Sequence, residues 1–183
     1  AKHVHIDTSI KNRQPVKITT AAPKKPSKKN SKMSEEKDYP LKIELVPDGC
    51  WYHNLRTQFP KPVWDFIRKD AYERANGRCV ICGKKTSRLE AHERWSYDEE
   101  NGVQKLVDVI AVCHDCHSAI HIERTAVAGD LVRAEDHFMK VNGCGYAEYK
   151  AMRAQANKDN RRRNGISEWK VDLTYLKRYI DEK

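Results

Sequence analysis

Cys79-Val80-Ile81-Cys82 at one end and Cys113-His114-Asp115-Cys116-His117 at the other bracket the stretch whose reading decides the fold. A two-residue spacer lets both sulfurs of a Cys-x-x-Cys pair turn toward one point. Two such pairs can therefore wrap four thiolates tetrahedrally round one zinc. Gly83, directly after Cys82, suits the tight knuckle this demands. The 30 residues between the pairs exceed zinc-ribbon spacing, so a metal here pins the two ends of an inserted element. Four cysteine ligands leave no open coordination position. The expected site is structural, with redox-active thiols as the competing reading.

Three histidines share the stretch. His117 and His121 stand at i and i+4, so on a helix they face the same side. His92 is distant in sequence, but an element tied between the knuckles can bring it close. Three imidazoles with positions left for water and phosphate make a Lewis-acid metal site. The plainer reading makes His121 a surface residue and His92 a satisfied polar one; spacing alone leaves both open.

The totals frame this. A chain of 183 residues with 39% hydrophobic content holds one ordinary domain with extensions, or two small ones. No apolar run approaches the roughly 18 to 20 residues of a membrane span, and no signal-peptide pattern opens the chain. Ala1 in place of Met reads as a processed or truncated start. Four of six cysteines fall in the two pairs, leaving Cys50 and Cys144 as small buried hydrophobes rather than a disulfide. This usage points to a reducing, intracellular compartment, cytoplasmic or nucleoid-associated. The net charge of +9 points to an acidic partner, yet residues 1–40 hold ten Lys/Arg against four Asp/Glu. The basic excess is mainly a tail, either a phosphate-binding arm or a solvated one.

Along the chain, Val4, Ile6, Val16 and Ile18 allow a weak strand or two, and residues 23–32 read as a disordered linker. The alternation of Leu41, Ile43 and Leu45 predicts a strand closed by Pro47-Asp48-Gly49. Trp51, Tyr52, Leu55 and Phe59 follow in an irregular region as caps on a core. Pro60 and Pro62 open a helix through Tyr72 that stops near Asn76-Gly77. A short helix continues through Ser118–Glu123, with two more over Leu131–Val141 and Tyr146–Asn157. Arg161-Arg162-Arg163 reads as a basic connector, and Trp169, Leu173, Leu176 and Ile180 as an amphipathic helix packed back on the domain. Gly77 to Lys84 is not a phosphate loop: its spacing is wrong and no Ser/Thr follows the Lys.

The run Cys79-x-x-Cys82-Gly83, Leu89-Glu90-Ala91-His92-Glu93, then Asp108 through Cys113-x-x-Cys116-His117 resembles the zinc-knuckle branch of the HNH endonuclease family. Trp64-Asp65 before it and Trp169-Lys170-Val171-Asp172-Leu173 after it extend the likeness. The resemblance implies a small α+β fold: a ββα-metal core with structural zinc, surrounded by helices and preceded by a flexible basic arm. The implied organisation is arm 1–40, lead-in 41–76, core 77–125 and helical extension 126–183. It implies zinc on Cys79, Cys82, Cys113 and Cys116, and a second divalent cation (Mg²⁺, Mn²⁺, Ni²⁺ or Zn²⁺) on His92, His117 and His121. Two positions depart from the family. Glu93 stands where its general base is a His, and Asp108 where its middle residue is an Asn. Glu, with an unperturbed pKa of about 4.3 against about 6.5 for His, is the weaker base unless burial raises it.

The expected function is a metal-dependent endonuclease hydrolysing phosphodiester bonds, with DNA ahead of RNA as substrate. Glu93 accepts a proton from the attacking water, Asp108 supports it, and Arg78, Lys84, Lys85, Arg88 and Arg94 hold the nucleic-acid backbone. The acidic run Asp98-Glu99-Glu100 belongs in a turn with Asn101-Gly102, pointing away from phosphate. Two competing readings are a non-catalytic zinc module that binds nucleic acid or a protein, and a structural zinc domain of a larger assembly.

Overall fold

A computed structural model describes residues 37–179, and the arm and linker expected before Lys37 lie outside the described residues. Helix α1 (Leu55–Gln58) is one turn, capped by the Asn54 side chain accepting the Thr57 N–H. Helix α2 (Lys61–Ala75) starts behind Pro60 with a second Pro in its first turn, and it ends at Asn76, whose left-handed φ of 49° releases the chain. Its buried residues, Trp64, Ile67, Ala71 and Ala75, recur at spacings of three and four and form one stripe.

Strands β1 (Leu89–Asp98) and β2 (Val103–Cys113) form an antiparallel hairpin. Its turn needs glycine at 102: φ is +60°, and a Cβ there would lie 2.9 Å from the Glu168 carbonyl oxygen. Strand β2 is buried on both faces from Val109 to Cys113. Val109 and Ala111 join the α2 stripe in one core, while Ile110 and Val112 join Ile120, Phe138 and Tyr149 in a second. The register shifts between Arg94 and Trp95, leaving Val107 unpaired and half exposed. That bulge lets Leu106 and Val109, three apart, face the same core despite the two-residue period of a strand.

Helix α3 (His114–Ile120) leaves β2 without a linker, and α4 (Ile122–Val127) follows after a break at His121, where φ is −96° and ψ 49°. Helices α5 (Leu131–Asn142) and α6 (Tyr146–Asn164) cover the second core, and β3 (Lys170–Asp172) pairs parallel with the start of β2. The result is a small α+β structure with a three-stranded sheet in the order β1-β2-β3. Among the described residues no helix is long and apolar enough to cross a membrane.

Three expectations need correction. Leu41–Val46 is not a strand. Its backbone is held instead by the Asn142 side chain, which accepts the Leu41 N–H at 3.0 Å and donates to the Leu41 carbonyl at 2.9 Å. The Glu44 N–H adds a bond to the Ile120 carbonyl, one of those a helix end leaves unpaired. Arg161-Arg162-Arg163 is no connector but the last turn of α6, where cations suit the helix dipole and Arg162 and Arg163 clasp Glu99 of the hairpin turn. The segment from Trp169 does pack back, with Trp169, Leu176 and Tyr179 buried. It does so as β3 and a 3-10 turn over Thr174–Tyr179, because the Lys170 N–H donates to the Gly102 carbonyl.

Candidate metal centres

The knuckle is shaped by its backbone. The Gly83 N–H donates to the Cys79 carbonyl and the Cys79 N–H to the Lys84 carbonyl, each at 2.9 Å, with Gly83 at φ +73°. Cys113 ends β2 and Cys116 lies in the first turn of α3, so strand and helix deliver the second pair. The four sulfurs lie within 4.8 Å of one another, and Cys82 and Cys113 are 3.7 Å apart. Zinc–sulfur bonds of about 2.3 Å at tetrahedral angles place sulfurs roughly 3.8 Å apart, so the cluster can hold zinc. A hydrogen bond from Cys116 pulls the Cys79 thiol down to about 4, while the same bond and burial push the Cys116 thiol up. A cation bound here displaces the remaining thiol protons, so its hold strengthens as the pH rises. Cys50 and Cys144 are free thiols, without a disulfide.

The histidines converge. His92 on β1 is 4% exposed, and its ring lies 5.5 Å from His117 and 5.0 Å from His121, with His117 and His121 4.9 Å apart between centroids. One ligand nitrogen from each lies within 4.8 Å of the others, so the triad can hold a cation. The His121 N–H still donates to the His117 carbonyl, which keeps the i and i+4 relation across the helix break. Burial lowers the pKa of His117. Burial, together with the charges of His92, His117 and Arg124, drops His121 to about 2. Both shifts favour the neutral imidazole at His117 and His121, the form that binds metal.

Two carboxylates orient the triad. Glu90 Oε2 lies 2.5 Å from His117 Nδ1 and its Oε1 2.8 Å from His114 Nδ1, leaving His117 Nε2 for a cation. Glu44 Oε2 lies 2.9 Å from His92 Nε2, leaving Nδ1. Such carboxylate–histidine contacts fix the tautomer and ring of a metal ligand. Glu90 was within reach of sequence reasoning, since a strand places it on the same face as His92. No local signal marks Glu44, which the non-strand segment 41–46 carries in.

Glu93, next along β1, turns to the other face. Its Oε1 accepts the Leu55 N–H at 3.0 Å, and its Oε2 is buried with no hydrogen-bond partner. Burial pushes this carboxyl up to about 7, against the pull of the Leu55 N–H, Trp95 and the charge of Arg56. A cavity of about 900 Å³ joins it to the triad, lined by Glu93, His92, His117 and His121 together with Trp51, Arg56 and Arg124.

The other expected site residues lie elsewhere. Asp108 does not line this cavity: its Oδ1 accepts from the Tyr175 hydroxyl at 2.7 Å and from its own neighbour Val109 N–H at 2.8 Å, with Arg74 at 3.5 Å. Arg78, Lys84, Lys85 and Arg88 belong to the knuckle side, where Arg78 donates to the Gly83 carbonyl and Lys84 pairs with Asp115 at 3.1 Å. Arg94 lies 3.9 Å from Glu44 and lines a second cavity with Arg74 and Asp108. None of the five lines the histidine cavity. The arginines that do line it are Arg163, held by Glu99, together with Arg56 and Arg124, which sequence reasoning missed, as it missed His137, whose Nε2 lies 3.1 Å from Cys116 Sγ. Comparison of the chain with protein-family models, curated proteins and solved structures finds no match.

Proposed function

We propose that the chain is a metal-dependent phosphodiesterase of the HNH type, cutting nucleic acid, with DNA ahead of RNA, on a ββα-metal core built from β1, β2 and α3. The observation that carries this reading is one cavity lined by a three-histidine cluster and by Glu93, one of whose carboxylate oxygens is buried without a partner. The cysteine cluster is read as structural zinc tying the start of the hairpin to α3. His92, His117 and His121 would hold a second cation, which would supply Lewis-acid stabilisation of the charge that develops during phosphodiester cleavage.

The chain's own residues do the proton work. Glu93 is held at Oε1 by the Leu55 N–H, which leaves Oε2 without a protein donor. Water attacks phosphorus, the bond from phosphorus to the 3′ oxygen breaks, and Glu93 Oε2 takes the proton the water gives up. A carboxyl raised toward 7 suits a general base at neutral pH, which answers the weakness expected of Glu at a His position. Asp108 takes no part; with its carboxylate held by Tyr175 and Arg74, it steadies the hairpin.

The test is plasmid nicking by the full chain in Mg²⁺, Mn²⁺, Ni²⁺ or Zn²⁺. Wild type nicks; His92→Ala, His117→Ala and Glu93→Gln lose the activity while keeping their zinc. A wild type inert in every metal sinks the reading, and an unchanged rate in Glu93→Gln removes the carboxylate from the chemistry.

A further inference from the structure

Most arginines of the described chain are already held by carboxylates. Arg68 pairs with Asp65, Arg74 with Asp70, Arg153 with Glu123, and Arg162 and Arg163 with Glu99. Arg56 and Arg124 form no ion pair among the described residues, Arg56 lying 6.0 Å over the Trp64 ring, and both line the histidine cavity. They come from separate helices, α1 and α4. Arg124 is on α4, three residues after His121, and its charge is felt by His117 and His121. Arg56 is on α1, next to the Leu55 whose N–H holds Glu93. Both side chains are exposed. The other carboxylates lining the cavity are engaged: Glu44 with His92, and Asp159 with Arg162 at 2.8 Å.

We propose that Arg124 and Arg56 are the phosphate grips of this site, one on each side of the reacting phosphodiester. The substrate is then a strand presenting successive phosphates rather than a mononucleotide or an isolated diester. The inference rests on the phosphodiesterase reading for what happens between the grips, but the grips themselves are a matter of binding. A guanidinium with no carboxylate partner can donate in bidentate fashion to a phosphate without first breaking a protein ion pair. Two of them flanking a cation and a base set the strand across the cavity, so that one phosphate meets the triad while a neighbouring one is anchored. This reassigns the backbone contacts from Arg78, Lys84, Lys85, Arg88 and Arg94 to residues that sequence spacing does not connect with the metal motif.

The experiment measures binding of a short fluorescein-labelled DNA oligonucleotide to the full chain across a salt series, without added Mg²⁺ or Mn²⁺. Arg56→Gln and Arg124→Gln are each expected to weaken binding about ten-fold at low salt. Each should flatten the slope of log K against log salt by about 0.7 to 0.9, the loss of one phosphate contact. Arg161→Gln, an exposed arginine outside the cavity, serves as the control and leaves both unchanged. Arg56→Lys and Arg124→Lys, which keep charge without the fork, recover the slope but not the full affinity, and so separate grip from misfolding. In cleavage, kcat/KM falls further on the oligonucleotide than on bis(p-nitrophenyl) phosphate. Slopes equal to wild type in both Gln variants overturn the proposal even where wild type cuts DNA, as does a wild type that binds no oligonucleotide. Flattened slopes in a protein that cuts nothing leave the grips standing and remove the phosphodiesterase reading.

Discussion

Replacing Asn142 by Ala tests how segment 41–46 is held. Asn142 is 7% exposed and Leu41 fully buried, and one side-chain amide serves both the N–H and the carbonyl of Leu41, at 3.0 and 2.9 Å. Alanine leaves two buried backbone groups without partners, at about 1–3 kcal/mol each, so the loss should reach roughly 2–6 kcal/mol. Asn142→Asp should not rescue it, because an ionised carboxylate accepts from the N–H but sets a second oxygen against the carbonyl. The effect should reach the histidines, since the segment carries Glu44 to His92. Mn²⁺ affinity should fall by about 10- to 100-fold with the loss of that orienting contact. Urea denaturation at fixed zinc concentration reads the first effect and calorimetric Mn²⁺ titration the second. An Asn142→Ala protein within about 0.5 kcal/mol of wild type refutes the account, for that is the range of surface changes that break nothing.

Three further outcomes follow. Cys116→Ser, or removal of zinc by a chelator, should abolish the cooperative unfolding transition followed by circular dichroism, since structural zinc sites contribute on the order of 10 kcal/mol; a transition left intact rules out zinc as the staple. Glu90→Gln should keep the fold and zinc content but weaken Mn²⁺ binding by about 10- to 100-fold, and unaltered calorimetry would show that His117 needs no orienting partner. Glu99 is held down to about 2 from 4.5 by its hydrogen bond from Arg162 above all, against the opposing effect of burial and with the help of the bond from Arg163. A depressed carboxyl contributes stability above 4.5 and loses it as the pH falls through about 2. An NMR titration of the Glu99 carboxyl should therefore show its midpoint rising in Arg162→Ala; a midpoint that stays put excludes Arg162 as the cause.

What could be read from the chain alone follows local rules. The knuckles are legible because two-residue spacing is a geometric demand of one zinc. The limits of α2 are legible because Pro favours a first helical turn and Asn-Gly accepts positive φ. His117 and His121 are legible because helical period alone aligns them. The failures share a different cause. Leu41, Ile43 and Leu45 alternate as a strand does, yet their partner is an amide side chain 101 residues away, which no local pattern announces. The three arginines at 161–163 looked like a break, but arginine is a good helix former and Glu99 of the hairpin turn anchors them. The spacing from Trp169 onward fits a helix as well as a short strand and a 3-10 turn, and the free carbonyl of Gly102 decides between them. Glu44, Arg56 and Arg124 reach the site from three separate elements, so only the assembled fold brings them together.

Cys116 and His117 are adjacent on α3, one turned to the sulfur cluster and the other to the imidazole triad. The two centres therefore share a rigid body a few ångströms across, and whatever shifts that helix shifts both. Thermodynamic linkage makes such an arrangement reciprocal: if occupancy of one centre favours the other by some factor, the reverse holds by the same factor. A cation loaded at the histidines would then change the affinity of the cysteines for zinc by the same factor that zinc changes the affinity of the histidines.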